Sequence, residues 1–426
     1  MITGIMQGRR QWWVGGAAVV IVAAVLGVVG PSGGDHPPVA SASTGASAAG
    51  ASSPGASLPG LSPVSPGSAS PSAPSRQPAT PPADCVAATV AGLSLTERVG
   101  QVLMIGIGVN APSGLGDTVA RYQLGGVFLQ GRSTHTAAQL RNDIDGLQQR
   151  AALPLLISLD QEGGTVQTLK GPDFPLVPSA FRLGARPATE ISDTVKDSAG
   201  RLAGIGVTLD LAPVADTVPA GLGRANPPIG ALNRQYGSDP AQVATDVRTV
   251  VSASQGAGVL TVLKHFPGLG RVRANTDTST DAVDATTDAD DPYLQPFAGG
   301  IGAGSAGVMV SSATYPRLDG QNIAAFSQPI ITGLLRGRLG FQGLVMSDDL
   351  GAAVAASAVP VGDRAVRFVA AGGDEVLTIR PADAAPMAAA LLARAQRDPA
   401  FAARVTDAAT HVLQAKKRAG LLRCDS

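Results

Sequence analysis

Carboxylates dominate the residues of this chain whose types and spacing suit chemistry. Asp160-Gln161-Glu162, Asp216, Lys264-His265 and Asp348-Asp349 each close a short apolar run, and Gln130, Arg132, Ser311 and Ser312 close others. After residue 84 the histidines are His135, His265 and His411, none clustered with cysteine, so no zinc site is expected. Neither a G-x-S-x-G elbow nor a phosphate loop with Gly-Lys-Ser/Thr occurs. Carboxylates with a few cations and amides suit glycosidic cleavage, which takes one carboxylate as nucleophile and a second group as acid/base. No cofactor is expected.

Those residues need elements to position them. Apolar runs fall at 102–107, 126–129, 153–159, 207–211, 260–263, 307–310, 344–346 and 376–379, most of them rich in Val, Ile and Leu and not alternating. Continuous apolar runs predict parallel strands covered on both faces. Amphipathic segments lie between them. Ser94-Leu95-Thr96-Glu97 has the spacing of a capping box, and Ser238-Asp239-Pro240 opens a second helix that Gly256 and Gly258 punctuate. In the last segment Phe401, Val405, Ala408, Val412, Ala415 and Ala419 share a face. Lys416, Lys417 and Arg418 fall in its last turn, where the helix dipole favours cations. Eight strands alternating with helices over residues 85–426 predict a single (β/α)₈ barrel of the TIM type. A doubly wound open sheet is the alternative. The polar residues at the strand ends favour the barrel, whose mouth collects them.

The rest of the chain bounds its setting. Its 426 residues carry 32 basic and 32 acidic side chains, so no net field points to nucleic acid or anionic lipid as the main partner. Arg9 and Arg10 precede an uncharged run over residues 12–30, the pattern of a signal peptide or signal anchor in residues 1–30. The run is close to the ~20 residues that span a bilayer, so both a cleaved signal and an uncleaved anchor fit. Residues 31–84 are mostly Pro, Ser, Ala and Gly without an aromatic, which predicts a disordered linker. An exported protein is expected, secreted or held at the outer face of the membrane by that first segment alone. The two cysteines, Cys85 and Cys424, bracket the barrel; in an oxidising compartment they are expected to pair. A monomer is expected.

Four segments carry a family resemblance over residues 90–420. The stretch from Leu334 to Leu350, ending Val345-Met346-Ser347-Asp348-Asp349-Leu350, resembles the nucleophile signature of glycoside hydrolase family 3. Asp160-Gln161-Glu162-Gly163-Gly164 is similar to the sugar-binding strand end of its single-domain branch, the bacterial β-N-acetylhexosaminidases, and Lys264-His265-Phe266-Pro267-Gly268 resembles the same branch's loop that carries substrate contacts and the acid/base. Asn226-Pro227-Pro228-Ile229-Gly230 with Arg234-Gln235-Tyr236-Gly237 is similar to a fourth motif. The resemblance implies that Asp348 is the nucleophile and that Asp160, Arg234, Lys264 and His265 hold sugar hydroxyls. It implies retaining release of terminal β-linked N-acetylhexosamine from cell-wall glycans such as peptidoglycan fragments. A β-glucosidase-like specificity, a phosphorylase and a non-catalytic wall-binding protein on the same barrel are the competing readings.

The sequence departs from that branch in two places, the first of them a loop. Where the branch has Gly-His-Gly this chain has Gly268-Leu269-Gly270, and where it has an Asp-Ser-His acid/base element this chain has Asn275-Thr276-Asp277. The exchange is chemically coherent. A carboxylate beside an imidazole stabilises its charge, whereas beside another carboxylate it opposes ionisation. An amide at Asn275 adds no charge, so Asp277 is expected to be the acid/base, with Asn275 its neighbour at the substrate. Thr165 and Thr168 stand where the branch usually has arginines, which leaves the identity of the sugar less firmly implied than the type of reaction.

Overall fold

A computed structural model describes residues 85–422. The expected signal or anchor, the linker and Cys424 lie outside the described residues. Cys85 opens the first helix, and among the described residues no cysteine is free.

Eight parallel strands form the centre. They are β1 (Leu103–Gly108), β2 (Gly126–Gln130), β3 (Leu156–Leu159), β4 (Leu209–Asp210), β5 (Leu260–Phe266), β6 (Gly307–Val310), β7 (Leu344–Ser347) and β8 (Val376–Thr378). Each pairs with its neighbour in chain order, and β8 returns to β1 through Leu103↔Val376, Met104↔Leu377 and Ile105↔Thr378. Between β7 and β8 the bridge Met346↔Glu375 and the 3.0 Å bond from Ser347 N to Glu375 O complete the ring. The expected (β/α)₈ barrel is therefore present.

Alternate strand residues fill its interior. Met104, Phe128, Leu156, Leu209, Leu260, Val262, Met309, Leu344, Met346 and Leu377 form one buried cluster, which makes the barrel a packed core rather than a pore. Burying each such side chain is worth about 1.5–3 kcal/mol. The opposite faces of the strands meet the helices in a second, larger cluster.

The helix starts follow local chemistry. Ser94 caps the helix Leu95–Gln101 with both bonds of a capping box, and Thr136 with Gln139 does the same for Ala137–Gln148. Asp239 caps Pro240–Gly256 through the Ala241 N–H. In the last helix, Pro399–Arg418, the expected apolar face is buried at Phe401, Val405, Ala408, Val412 and Ala415. Val412 and Ala415 close the floor of the barrel, joining the interior cluster beside Ala306 and Leu344.

One sequence expectation is refined and another needs correction. Lys416 lies in the last turn as expected, but not at the surface. It is fully buried and donates a 2.6 Å hydrogen bond to Gln101 Oε1, because its position in the turn points inward with Val412 and Ala415. The strand run at 260–263 also continues to Phe266, so Lys264 and His265 lie within β5 rather than after it. Pairing with β6 carries the strand on, through Phe266↔Val310.

Candidate active site

The C-terminal ends of the strands surround a cavity of about 380 Å³. Asp160, Arg234, Lys264, His265, Asn275, Asp277 and Asp348 all line it. The seven residues singled out from the sequence thus come together in one place, although they derive from four separate segments of the chain.

The polar floor is built around Glu162. This carboxylate is 3% exposed and accepts both arms of the Arg234 guanidinium, at 2.8 and 2.7 Å. Lys264 Nζ lies 2.6 Å from Glu162 Oε1 and 2.6 Å from Asp160 Oδ1. Burial alone would raise the pKa of Glu162, but the charges of Arg234 and Lys264 together hold it down at about 2. Lys264 is likewise buried, and Asp160 and Glu162 raise its pKa against the desolvation. Arg234 Nη1 also donates to the Pro228 carbonyl at 2.9 Å, which ties the Asn226–Pro228 motif to the floor.

His265 is oriented from behind by Asp216, whose side chain is fully buried. Nδ1 lies 2.7 Å from Asp216 Oδ2, and the same carboxylate accepts the backbone N–H groups of His265 and Leu269. Arg234 Nη2 approaches Nε2 at 3.4 Å. A guanidinium can only donate, so both contacts favour the tautomer with its proton on Nδ1. Glu162 and Asp216 closed strand runs in the sequence but carried no assigned role. Their part as buried counter-charges becomes visible only once β3, β4 and β5 are side by side.

The adjacent pair Asp348 and Asp349 divides its work. Both follow β7, and Asp348 N donates to Val310 O at 3.0 Å. Asp349 accepts three backbone N–H groups, those of Gly351 (2.9 Å), Ile379 (3.0 Å) and Ala352 (3.0 Å). It is the structural carboxylate. Asp348 accepts only the Asp349 N–H, at 2.9 Å on Oδ1, and among the described residues nothing hydrogen-bonds Oδ2. That oxygen is available to a ligand in the cavity.

Asp277 lies on the loop after β5. Its surface is open to solvent, yet the cavity wall around it displaces enough water to raise its pKa. The charge of Asp348 adds to the effect of burial, while His265, Arg234 and a hydrogen bond from Asn275 act against both. Asn275 Oδ1 also accepts the Asp277 N–H at 3.0 Å, which turns the carboxyl-bearing residue back over the cavity. The loop starts at Gly268 and Leu269. A Cβ on Gly270 would stand 1.8 Å from Thr217 O, so glycine is required there for close approach.

The arrangement places a carboxylate with a free oxygen and a carboxyl group biased towards its protonated form on one cavity. Unlike protonation of two carboxyls is what acid/base chemistry at a glycosidic bond needs. Apolar side chains of Phe128, Leu211, Met309 and Leu377 complete the wall. Thr165 and Thr168 do not reach it: Thr165 is exposed, and Thr168 is buried at 1% exposure. Among the described residues no group of three or more His, Cys, Asp or Glu side chains could hold a metal ion.

Comparison with known proteins adds the family context. Residues 94–415 match the model of the glycosyl hydrolase family 3 N terminal domain. A beta-hexosaminidase from Xanthomonas oryzae pv. oryzae is 34% identical over 297 residues, covering 66% of this chain and 84% of the relative. One from Xylella fastidiosa is 36% identical over 267 residues, covering 60% and 76%. Among solved structures, the beta-N-acetylhexosaminidase from Beutenbergia cavernae is similar at 43% identity and a TM-score of 0.75, over 77% of this chain and 99% of that one. A glycoside hydrolase family 3 beta-N-acetylglucosaminidase from a Paenibacillus species follows at 31% identity and a TM-score of 0.71, over 78% and 63%.

Proposed function

The chain belongs to glycosyl hydrolase family 3, and on that premise we propose that it is a retaining glycosidase releasing terminal β-linked N-acetylglucosamine from cell-wall-derived glycans. The identity of 34–43% with proteins named for hexosaminidase activity supports the sugar. The single observation that carries the mechanism is the pairing of Asp348, with its unengaged oxygen, and Asp277, with its raised proton affinity, on one cavity.

In the first step Asp348 attacks the anomeric carbon and Asp277 gives its proton to the departing oxygen. The charge of Asp348 favours the protonated form of Asp277 before attack. Forming the glycosyl ester removes that charge, so Asp277, already ionised by the proton it gave up, stays ionised and takes a proton from the incoming water. Asp160, Arg234, Lys264 and His265 hold the sugar hydroxyls. The Lys264–Asp160 pair, the hold of Glu162 on Arg234 and Lys264, and the contact of Asp216 with His265 fix these side chains before substrate arrives, which lowers the entropic cost of correct alignment.

The same proposal puts the enzyme outside the cytoplasmic membrane as a monomer with Cys85 joined to Cys424. The N-terminal charge and hydropathy pattern supports the export, and the engagement of Cys85 supports the bridge.

Hydrolysis of N-acetylglucosaminides with good and poor leaving groups tests the assignment. Asp277→Ala should lose about 10²–10⁴-fold on poor leaving groups and much less on activated aryl glycosides. Azide should restore part of the second step in that variant. Wild-type rates of Asp277→Ala on both substrate classes would place the acid/base elsewhere. Release of a sugar phosphate in phosphate buffer would replace hydrolysis by phosphorolysis.

A further inference from the structure

The segment that follows the nucleophile is held from both sides of its backbone. Asp349 accepts the N–H groups of Gly351, Ala352 and Ile379. From the opposite side Arg364, 6% exposed, donates to the carbonyls of Leu350 (2.6 Å), Gly351 (2.9 Å) and Val359 (2.7 Å). Gly351 is pressed against β8 so closely that a Cβ there would stand 2.0 Å from Thr378 Oγ1.

This fixed segment then reaches the loop of Asp277. Val354 N donates to the carbonyl of Asp277 itself at 3.4 Å, and Ala355 N to that of Thr276 at 3.1 Å. The loop is anchored at its root as well, where Asn226 Nδ2 donates to Leu269 O and Val272 O at 2.9 and 2.8 Å. Asp348 is thus linked through Asp349 and the backbone that Asp349 and Arg364 hold to residues 354 and 355, whose N–H groups reach the backbone that carries Asp277.

We propose that Asp349 and Arg364 are positioning residues that fix Asp277 over the nucleophile, so that the two catalytic carboxyls form one rigid unit. The inference rests on the assignment of Asp277 as acid/base. Its consequence is specific: loosening the clamp withdraws proton donation while leaving the nucleophile in place. Asp277 would also move away from the charge of Asp348 and become a stronger acid.

Two variants test it. Arg364→Ala removes three bonds to the segment but risks the fold, since the guanidinium is buried. Val354→Pro is the milder change. It deletes only the N–H that reaches Asp277, at the first position of a short 3₁₀ turn. The preceding Ala353 already has the extended backbone a proline requires (φ −58°, ψ 125°). Val354→Pro should keep the wild-type melting temperature and stay within about threefold of wild type on activated aryl glycosides. On poor leaving groups it should lose about tenfold or more in kcat/KM, and the alkaline limb of its pH profile should move to lower pH. Arg364→Ala, where it folds, should show the same pattern more strongly. A wild-type ratio between the two substrate classes together with an unmoved alkaline limb in Val354→Pro would overturn the clamp. Asp277→Ala run alongside separates the two failures. If it discriminates between leaving groups and Val354→Pro does not, only the clamp falls. If neither discriminates, the acid/base assignment falls and the clamp with it.

Discussion

Replacing Glu162 by glutamine should unbalance the floor of the site by an amount that the structure fixes. The carboxylate is buried, meets Arg234 and Lys264 at 2.6–2.8 Å, and is held at about 2 instead of 4.5. Each pKa unit corresponds to about 1.4 kcal/mol, so its ionised form contributes about 3 kcal/mol. A depressed folded-state pKa gives stability that is present above the unfolded value and is lost as pH falls through the folded one. Glu162→Gln should therefore cost about 3 kcal/mol at pH 7, about 1 kcal/mol at pH 3, and little at pH 2. For a barrel of about 340 residues the pH 7 figure corresponds to roughly 5 °C in melting temperature. Urea unfolding of wild type and variant across pH 2–7 measures it. Equal stability at pH 7, or a penalty that does not shrink with acid, would refute the reasoning.

Other groups give expectations of the same kind. Burial pushes Glu375 up to about 8, and among the described residues neither of its oxygens has a hydrogen-bond partner; a raised acid loses its stability contribution as pH rises from 4.5 through 8. Glu375→Met should thus raise the free energy of urea unfolding at pH 8.5, by up to about 5 kcal/mol, and leave it nearly unchanged at pH 4; equal unfolding free energies at pH 8.5 would mean that the carboxyl is stabilised by something else. Asn275→Asp puts a second carboxylate beside Asp277 and should slow turnover about tenfold at pH 7 but less at pH 4, where the new group is itself protonated; steady-state rates at the two pH values decide. Non-reducing peptide mapping of exported protein should find the Cys85 and Cys424 peptides joined, and free thiols on both would exclude the bridge.

Much of the site was legible from the sequence because barrel geometry does the collecting. Asp160, Lys264 and Asp348 lie at or near the ends of parallel strands, and those ends share one side of the fold. A residue's place in its apolar run was therefore enough to bring it to the mouth. Asp277 is different. No strand end marks it, and it was reached only through the family resemblance, as the residue standing where the branch has the histidine of its Asp-Ser-His element. The family resemblance marked Asp348 as the nucleophile, but the work of Asp349 shows only in the fold, where it accepts the backbone N–H groups of residues 351, 352 and 379. Partnerships across the barrel were not legible at all. Glu162 looked like one polar residue in a strand-end motif, and its role depends on Arg234, 72 positions away. Lys416 was legible as a last-turn cation, but its burial was not, because it arises where the helix crosses the floor and Gln101, 315 positions upstream, accepts its hydrogen bond.

The central claim is that Asp348 becomes covalently bonded to the sugar. Incubation with a 2-fluoro-type glycoside inactivator, followed by digestion and mass spectrometry, should find one added sugar mass on a peptide containing Asp348, with labelling lost in Asp348→Asn. A label on another carboxylate, with activity retained in Asp348→Asn, would contradict it.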